Sequence, residues 1–395
     1  MKLPSVKSLL GNLSQEPPLG WAQLSHQKIR LLVAMTGIAF ADILIFMNLG
    51  FTAILFEGSV LIHERIKGDL VLISRRTQTL VEGQSFSRRH LYQAAAVEGV
   101  ASANPLYHSF APWVNPWDKK VTMVAVTAFN PTQPVLDLPE VNRQLEQIKL
   151  PNVLLFDSKS QPGLGPIAES FAQGKTITTE MSGHRVRVGG IFTLGSHMFL
   201  NGHVITSDWN YLRLFGSDSL ENLHVGVLTL KPGADPQTVI KNIQARLPND
   251  VKVITRQDFI NTEIGYWSGH IAGIMFNFGT IMGFIVGVVI VYQILYSDVN
   301  DHLPEYATLK AMGYSDISLL SVVFQEGILL AVLGFLPGFG ISIGMYALLG
   351  NLTRIPLVMR PDVALQVFTI TAVMCLISAA VAMRKLQSAD PADVF

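Results

Sequence analysis

Gly174, Lys175 and Thr176 stand in the order that ends a phosphate-binding loop, and four histidines, His184, His197, His203 and His224, crowd the same region. Such a loop needs a glycine five residues ahead of Gly174, where an unhindered backbone turns its amides onto phosphate. Glu169 occupies that position, so no nucleotide cradle is expected. No two of the histidines have the close spacing of a helical or hairpin zinc site, and they suit surface or core positions better. There is no nucleophile elbow. No acid pair stands out from the scatter of carboxylates, although carboxylates distant in sequence can converge in space. The only cysteine, Cys375, lies in an apolar run as a small packing residue and offers neither a disulfide nor a thiolate metal site. No catalytic residue, cofactor-binding residue or metal ligand is therefore expected.

Four long apolar stretches organise the chain. Leu31–Phe56 holds one charge, Asp42; Ile271–Ser297 and Val363–Met383 hold none; Ile317–Thr353 holds only Glu326. Each is long enough to cross a bilayer as helix, which takes roughly 20 residues. The chain is 49% hydrophobic and 15% charged, with a mean hydropathy of +0.36; ordinary soluble domains are about a quarter charged. Residues 57–270 carry most of the 29 Lys+Arg and 29 Asp+Glu and read as a water-soluble domain on one side of a membrane. The formal net charge of zero argues against nucleic acid, whose binding needs a basic footprint.

The first apolar run is too long for the core of a signal peptide and lacks a small-residue cleavage site, so no cleaved leader is expected. Lys2, Lys7, Lys28 and Arg30 precede the first span, and Arg384 and Lys385 follow the last. These basic flanks place both termini in the cytoplasm and the large domain outside. Lys310 against four acids in 298–316, and Arg354 and Arg360 on the outer side, run against that rule. The expected fold is a membrane protein with four transmembrane helices (31–56, 271–297, 317–350 and 363–383) and a large α+β extracytoplasmic domain, 57–270, inserted between helices 1 and 2. Residues 1–30 and 384–395 are cytoplasmic, 298–316 form a cytoplasmic loop and 351–362 an outer loop. Leu19–Ile29 reads as an interfacial helix anchored by Trp21 and Lys28, or as the start of the first span.

Within the soluble segment, Val121–Phe129, Val186–Leu194, Gly202–Thr206, Leu223–Leu230 and Val251–Ile254 are β-branched runs bounded by turns and are expected as strands. Asp235 caps a helix with Pro236 at its first position, ending near Leu247. The proline-rich stretch 131–166 suggests an inserted or bridging subdomain, with an insert near 131–235.

The loop after the second span is the segment most suited to function. Glu305–Met312 has good helix formers and an amphipathic pattern, and Gly313 caps it. A Tyr, a Leu and a Met on a water-facing helix mark a docking surface, assigned to Glu305, Tyr306, Leu309, Lys310, Met312, Gly313 and Tyr314. Asp42 and Glu326 are costly intramembrane charges, functional or structural; Asp42 is expected to pair with a polar group such as Asn277, and Glu326 to lie near the cytoplasmic end. Pro337 with Gly334, Gly338 and Gly340 should kink the third span or allow close packing. Asp258–His270 is expected to continue as helix into the second span, giving a lever.

The string EYATLKAMGY at 305–314, followed by Gln325, Glu326 and Gly327, resembles the cytoplasmic loop and next span of FtsX/MacB-type ABC permeases. YSDVNDHLPEYATLKAMGY at 296–314, RKLQSADPADVF at 384–395, LPNVLLFDSKSQPGLGP at 150–166 and LKPGADPQTVIKNIQARLP at 230–248 resemble the DevC-type permeases of cyanobacteria, over nearly the whole chain. The resemblance implies a non-enzymatic homodimeric subunit in a bacterial inner membrane, of cyanobacterial type. It implies that ATP is bound by a separate ABC ATPase subunit, whose closure pushes on Glu305–Tyr314. It also implies a periplasmic adaptor, a TolC-like outer-membrane channel and a lipid-like cargo; DevC points to glycolipid, although no residue reads out a substrate. The rival reading is an FtsX-like signal transducer that controls a cell-wall hydrolase. A membrane-anchored hydrolase has no supporting constellation.

Overall fold

The computed structural model describes residues 28–195, 197–313, 316–353 and 357–388. The N-terminal stretch that includes Trp21, together with Tyr314, Arg354 and the last seven residues of the C-terminal string, lies outside them; Lys28 and Ile29 begin the first long helix. In chain order the elements are α1 (Lys28–Arg65), β1 (Leu70–Ser74), β2 (Phe86–Ser87), α2 (Arg88–Ala95), β3 (Val100–Val114), β4 (Val121–Phe129), α3 (Pro139–Asn142), α4 (Leu145–Ile148), β5 (Val153–Asp157) and α5 (Ile167–Ala172). Then come β6 (Thr178–Met181), β7 (His184–Phe192), β8 (His203–Ser207), α6 (Asp208–Phe215), β9 (Asn222–Leu223), β10 (Val225–Leu230), α7 (Pro236–Arg246), β11 (Val251–Thr255) and α8 (Arg256–Gly269). The chain closes with α9 (Ile271–Asp301), α10 (Leu303–Ala311), α11 (Asp316–Thr353) and α12 (Pro361–Ser388). By contact the chain divides into two compact units, one made from Met1–Thr52, Met275–Leu348 and Leu357–Phe395, the other from Ala53–Ile274 and Leu349–Pro356.

The second unit is built on a nine-stranded sheet in the order β11-β1-β10-β3-β4-β8-β5-β7-β6. Most pairs are antiparallel; β4–β8 and β5–β7 are parallel. The 15-residue β3 serves two partners in succession, β10 along Val100–Leu106 and β4 along Tyr107–Val114. Trp113 also pairs with Met181 of β6, so β3, β4, β8, β5, β7 and β6 return on themselves as a ring. Trp113, Val124, Phe156, Met181, Val188 and Val204 are buried in a single cluster. The stretch 131–166 contributes strand β5, which sits between β8 and β7, and the strands β5 to β8 lie together at one end of the sheet. Local capping fixes the helix starts. Asp235 accepts the Thr238 N–H ahead of Pro236, and Thr255 accepts the Asp258 N–H at 3.0 Å while its hydroxyl donates to the Asp258 carboxylate.

Among the described residues, four helices are long and apolar enough to cross a membrane. The two in the middle pack on α1 through glycines. A β-carbon on Gly283 would lie 2.9 Å from Ile45 Cγ1 and one on Gly287 3.1 Å from Ala41, so α9 approaches α1 closely along an i, i+4 row. Gly334 and Gly338 do the same for α11: added β-carbons would lie 2.5 Å from Ile38 and 3.0 Å from Asp42 Cβ. Gly340 has nothing within 4 Å, and α11 runs unbroken through Pro337.

Candidate functional site

In the first unit, α10 lies between α9 and α11 in the chain, and its two faces differ. Tyr306 is buried, and Leu303 and Leu309 pack beside it against the apolar cluster of Leu295, Val299 and Val323. Glu305, Thr308 and Met312 are exposed, Met312 at 65%, and their spacing of three and four puts them on one face. Pro304 starts the helix where its missing N–H costs nothing, and Gly313 leaves it at φ +95°, a left-handed value suited to glycine. The expected docking set therefore divides. Tyr306 and Leu309 fasten the helix from inside, because an apolar side chain beside a greasy cluster gains more by burial than by waiting for a partner. Glu305 and Met312 remain outward, Lys310 is half-buried, and Tyr314 lies outside the described residues.

The entry to α10 is held by charge. Arg30 of α1 donates to the Asp298 carboxylate at 3.2 Å, to Ser297 Oγ at 3.4 Å and to Asp301, all at the end of α9. His302 Nδ1 lies 3.0 Å from the Asp298 carbonyl. Glu326, on α11, is fully buried with Asp298 as its charged neighbour. Deeper in the bundle, Asp42 is fully buried and accepts the Thr371 hydroxyl at 2.6 Å. The expected partner Asn277 lies on an exposed face of α9, so helical periodicity turns it away from Asp42 within this chain.

The second unit contains a buried polar network around Glu263. Glu263 of α8 and His63 of α1 are each 1% exposed, with Nε2 3.2 Å from Oε2. Glu263 also accepts from the Thr79 hydroxyl at 2.6 Å, the Leu80 amide at 2.9 Å and the Trp267 indole at 2.8 Å. Burial opposes its ionisation, but His63 and these donors outweigh it and hold the carboxyl below the usual range. The expected helical lever into the second span is interrupted here. Gly269 ends α8, His270 adopts an extended conformation (φ −70°, ψ 150°), and its Nδ1 accepts the Ala272 N–H at 3.3 Å to start α9 afresh. Among the described residues no group of three or more His, Cys, Asp or Glu is placed to hold a metal ion.

Sequence reasoning identified α10 but missed the Arg30 bridge and the Glu263 network. Arg30 served there only as a topological charge, and Glu263 meets donors far away in sequence. The glycine row of α9 had a readable signal, the spacing Gly279, Gly283, Gly287.

Residues 277–391 match the family model described as FtsX-like permease C-terminal. That segment takes in α10 and most of the three later spans, and the match supports an ABC-type permease subunit. No curated protein matches the chain. Among solved structures, the periplasmic region of MacB from Actinobacillus actinomycetemcomitans is 12% identical, covering 51% of this chain and 94% of that one, with a TM-score of 0.34. The extracellular domain of the noncanonic ABC-type transporter YknZ from Gram-positive bacteria is 11% identical, covering 48% and 100%, with a TM-score of 0.31. A domain of a putative permease protein from Porphyromonas gingivalis is 11% identical, covering 49% and 90%, also with a TM-score of 0.31. Overlaps this loose assign no function.

Proposed function

We propose that the chain is the membrane subunit of an ABC-type exporter and that α10 receives the stroke of a separate ATPase. One observation carries the reading: α10 is fastened inward by Tyr306 and Leu309 while Glu305, Thr308 and Met312 stay exposed. A helix held in this way passes a push on its outer face to the spans on either side. The FtsX-like match over 277–391 supports a partner that supplies ATP hydrolysis. Two copies of the chain work with two ATPase subunits; the termini lie in the cytoplasm and the sheet-rich unit outside. The motion passes up α9 and drives an amphiphilic, glycolipid-like cargo through a periplasmic adaptor toward an outer-membrane duct. The break at His270 makes the α8–α9 connection a joint rather than a rigid lever.

The test is Met312→Asp in the chain reconstituted with its ATPase. An apolar anchor of about 2 kcal/mol corresponds to a roughly thirtyfold loss of affinity. Stimulation of the ATPase should fall by that order while the permease remains folded and inserted. Unchanged stimulation and transport would reduce α10 to a connector.

A further inference from the structure

Two histidines in the second unit use Nδ1 as an acceptor for a backbone amide. His197 accepts the Phe199 N–H at 3.0 Å, and His270 accepts the Ala272 N–H at 3.3 Å. A backbone N–H can only donate, so each ring must present a bare Nδ1 lone pair. An imidazolium carries hydrogens on both nitrogens and cannot accept. The two rings share one aromatic cluster. Trp267 lies 5.7 Å from His197 and 5.1 Å from His270 between ring centroids, and Phe199 stacks on Trp267 at 5.1 Å. The cluster sits at the joint between α8 and α9.

We propose that His197 forms an acid-sensitive catch: proton binding removes the acceptor that holds the Phe199 turn against Trp267, and so loosens the packing at the joint.

The surroundings determine the sign. His197 faces Glu263 of α8 and His63 of α1, and His203 of β8 and His108 of β3 lie behind it. His270 faces Tyr266, which bonds to Glu82. Glu263 is already committed to His63, Thr79, Leu80 and Trp267, so its attraction for a charged His197 does not overcome burial, which pushes the imidazole down to about 4. A group whose closed-state pKa is depressed binds its proton more readily when open. Stability of the catch is therefore lost as pH falls through the ordinary histidine value of 6.5 toward 4. From about pH 7.5 to about pH 5 this linkage favours opening at His197 by roughly thirtyfold. Asp157 works in the opposite sense. Burial raises its carboxyl to about 6, against the pull of the Lys159, Leu194 and Gly195 amides it accepts, so acid does not loosen the chain at 194–195.

The experiment is hydrogen exchange on the full chain in nanodiscs at the two pH values, corrected for intrinsic rates. Exchange at Phe199 should rise by roughly thirtyfold in acid, while Leu194 and Gly195 stay protected. His197→Asn supplies a side-chain oxygen that accepts but does not titrate, and should abolish the acid response. Equal protection of the wild type at both pH values overturns the proposal, whatever the variant does. So does an undiminished acid response in a folded His197→Asn variant, judged folded by intact protection of β8.

Discussion

Replacing Glu263 by alanine tests the network that ties α8 to α1 within the second unit. The carboxylate satisfies three donors, Thr79, Leu80 and Trp267, and sits 3.2 Å from His63, all in a region from which water is excluded. Truncation leaves the Leu80 N–H, the Trp267 indole N–H and the imidazole without their acceptor. Breaking a buried pair by removing one member costs about 3–5 kcal/mol. For a unit of this size each kcal/mol lowers the melting temperature by about 2–4 °C, so a fall of roughly 6–20 °C is expected. Glu263→Gln keeps one acceptor oxygen and the shape, so it should lose clearly less. The full chain in detergent, melted at neutral pH and followed by near-UV circular dichroism, provides the assay. The pH sign is fixed by the depressed carboxyl: its contribution is present above the ordinary carboxylate value and is lost only as pH falls below it. The gap between wild type and Glu263→Ala should therefore be full at pH 7 and close in strong acid. A Glu263→Ala melt within about 2 °C of wild type, a shift worth only ~1 kcal/mol, would refute the reasoning.

Gly338→Leu should destabilise the bundle by about 1–3 kcal/mol in SDS titration, because even a β-carbon there would lie 3.0 Å from Asp42 Cβ. Gly340→Leu, with nothing within 4 Å, is the control, and equal midpoints for the two variants would dismiss the close packing. A reporter fused at Phe395 should behave as cytoplasmic and one inserted at Gln161 as external; finding both on one side would sink the orientation.

The limits of sequence reading are physical. Val121–Phe129 could be read to the residue because a nine-residue run rich in Val and Thr between turns permits little else. The strand β3 could not, although it is the longest in the sheet: Pro105 and Pro112 interrupt its pattern, and each removes a ladder donor. The four spans are legible because hydrocarbon demands length and apolarity from a continuous segment. On α10 the apolar residues were visible but their direction was not. Tyr306 and Leu309 look like docking residues on an isolated helix and become fasteners once Leu295, Val299 and Val323 lie beneath them. The Arg30–Asp298 and His63–Glu263 contacts join residues far apart in the chain, where no local spacing can indicate them.

The state of the buried carboxylates bears on mechanism more directly than any missing motif. A general base needs a free lone pair aimed at a substrate, with access for that substrate. Asp157 is spent on three backbone amides and Glu263 on three donors and His63, while Asp42 and Asp298 each engage one oxygen, with Thr371 and Arg30, and keep the other away from solvent. Most of these contacts join separate elements: α1 to α12, α1 to α9, and α8 to both α1 and the loop at Thr79. Charges placed this way resist relative motion of helices until a force or a proton changes the balance. The proposed role of the chain would require that behaviour, and it directs the search for function to the exposed face of α10 and to the joint at His270.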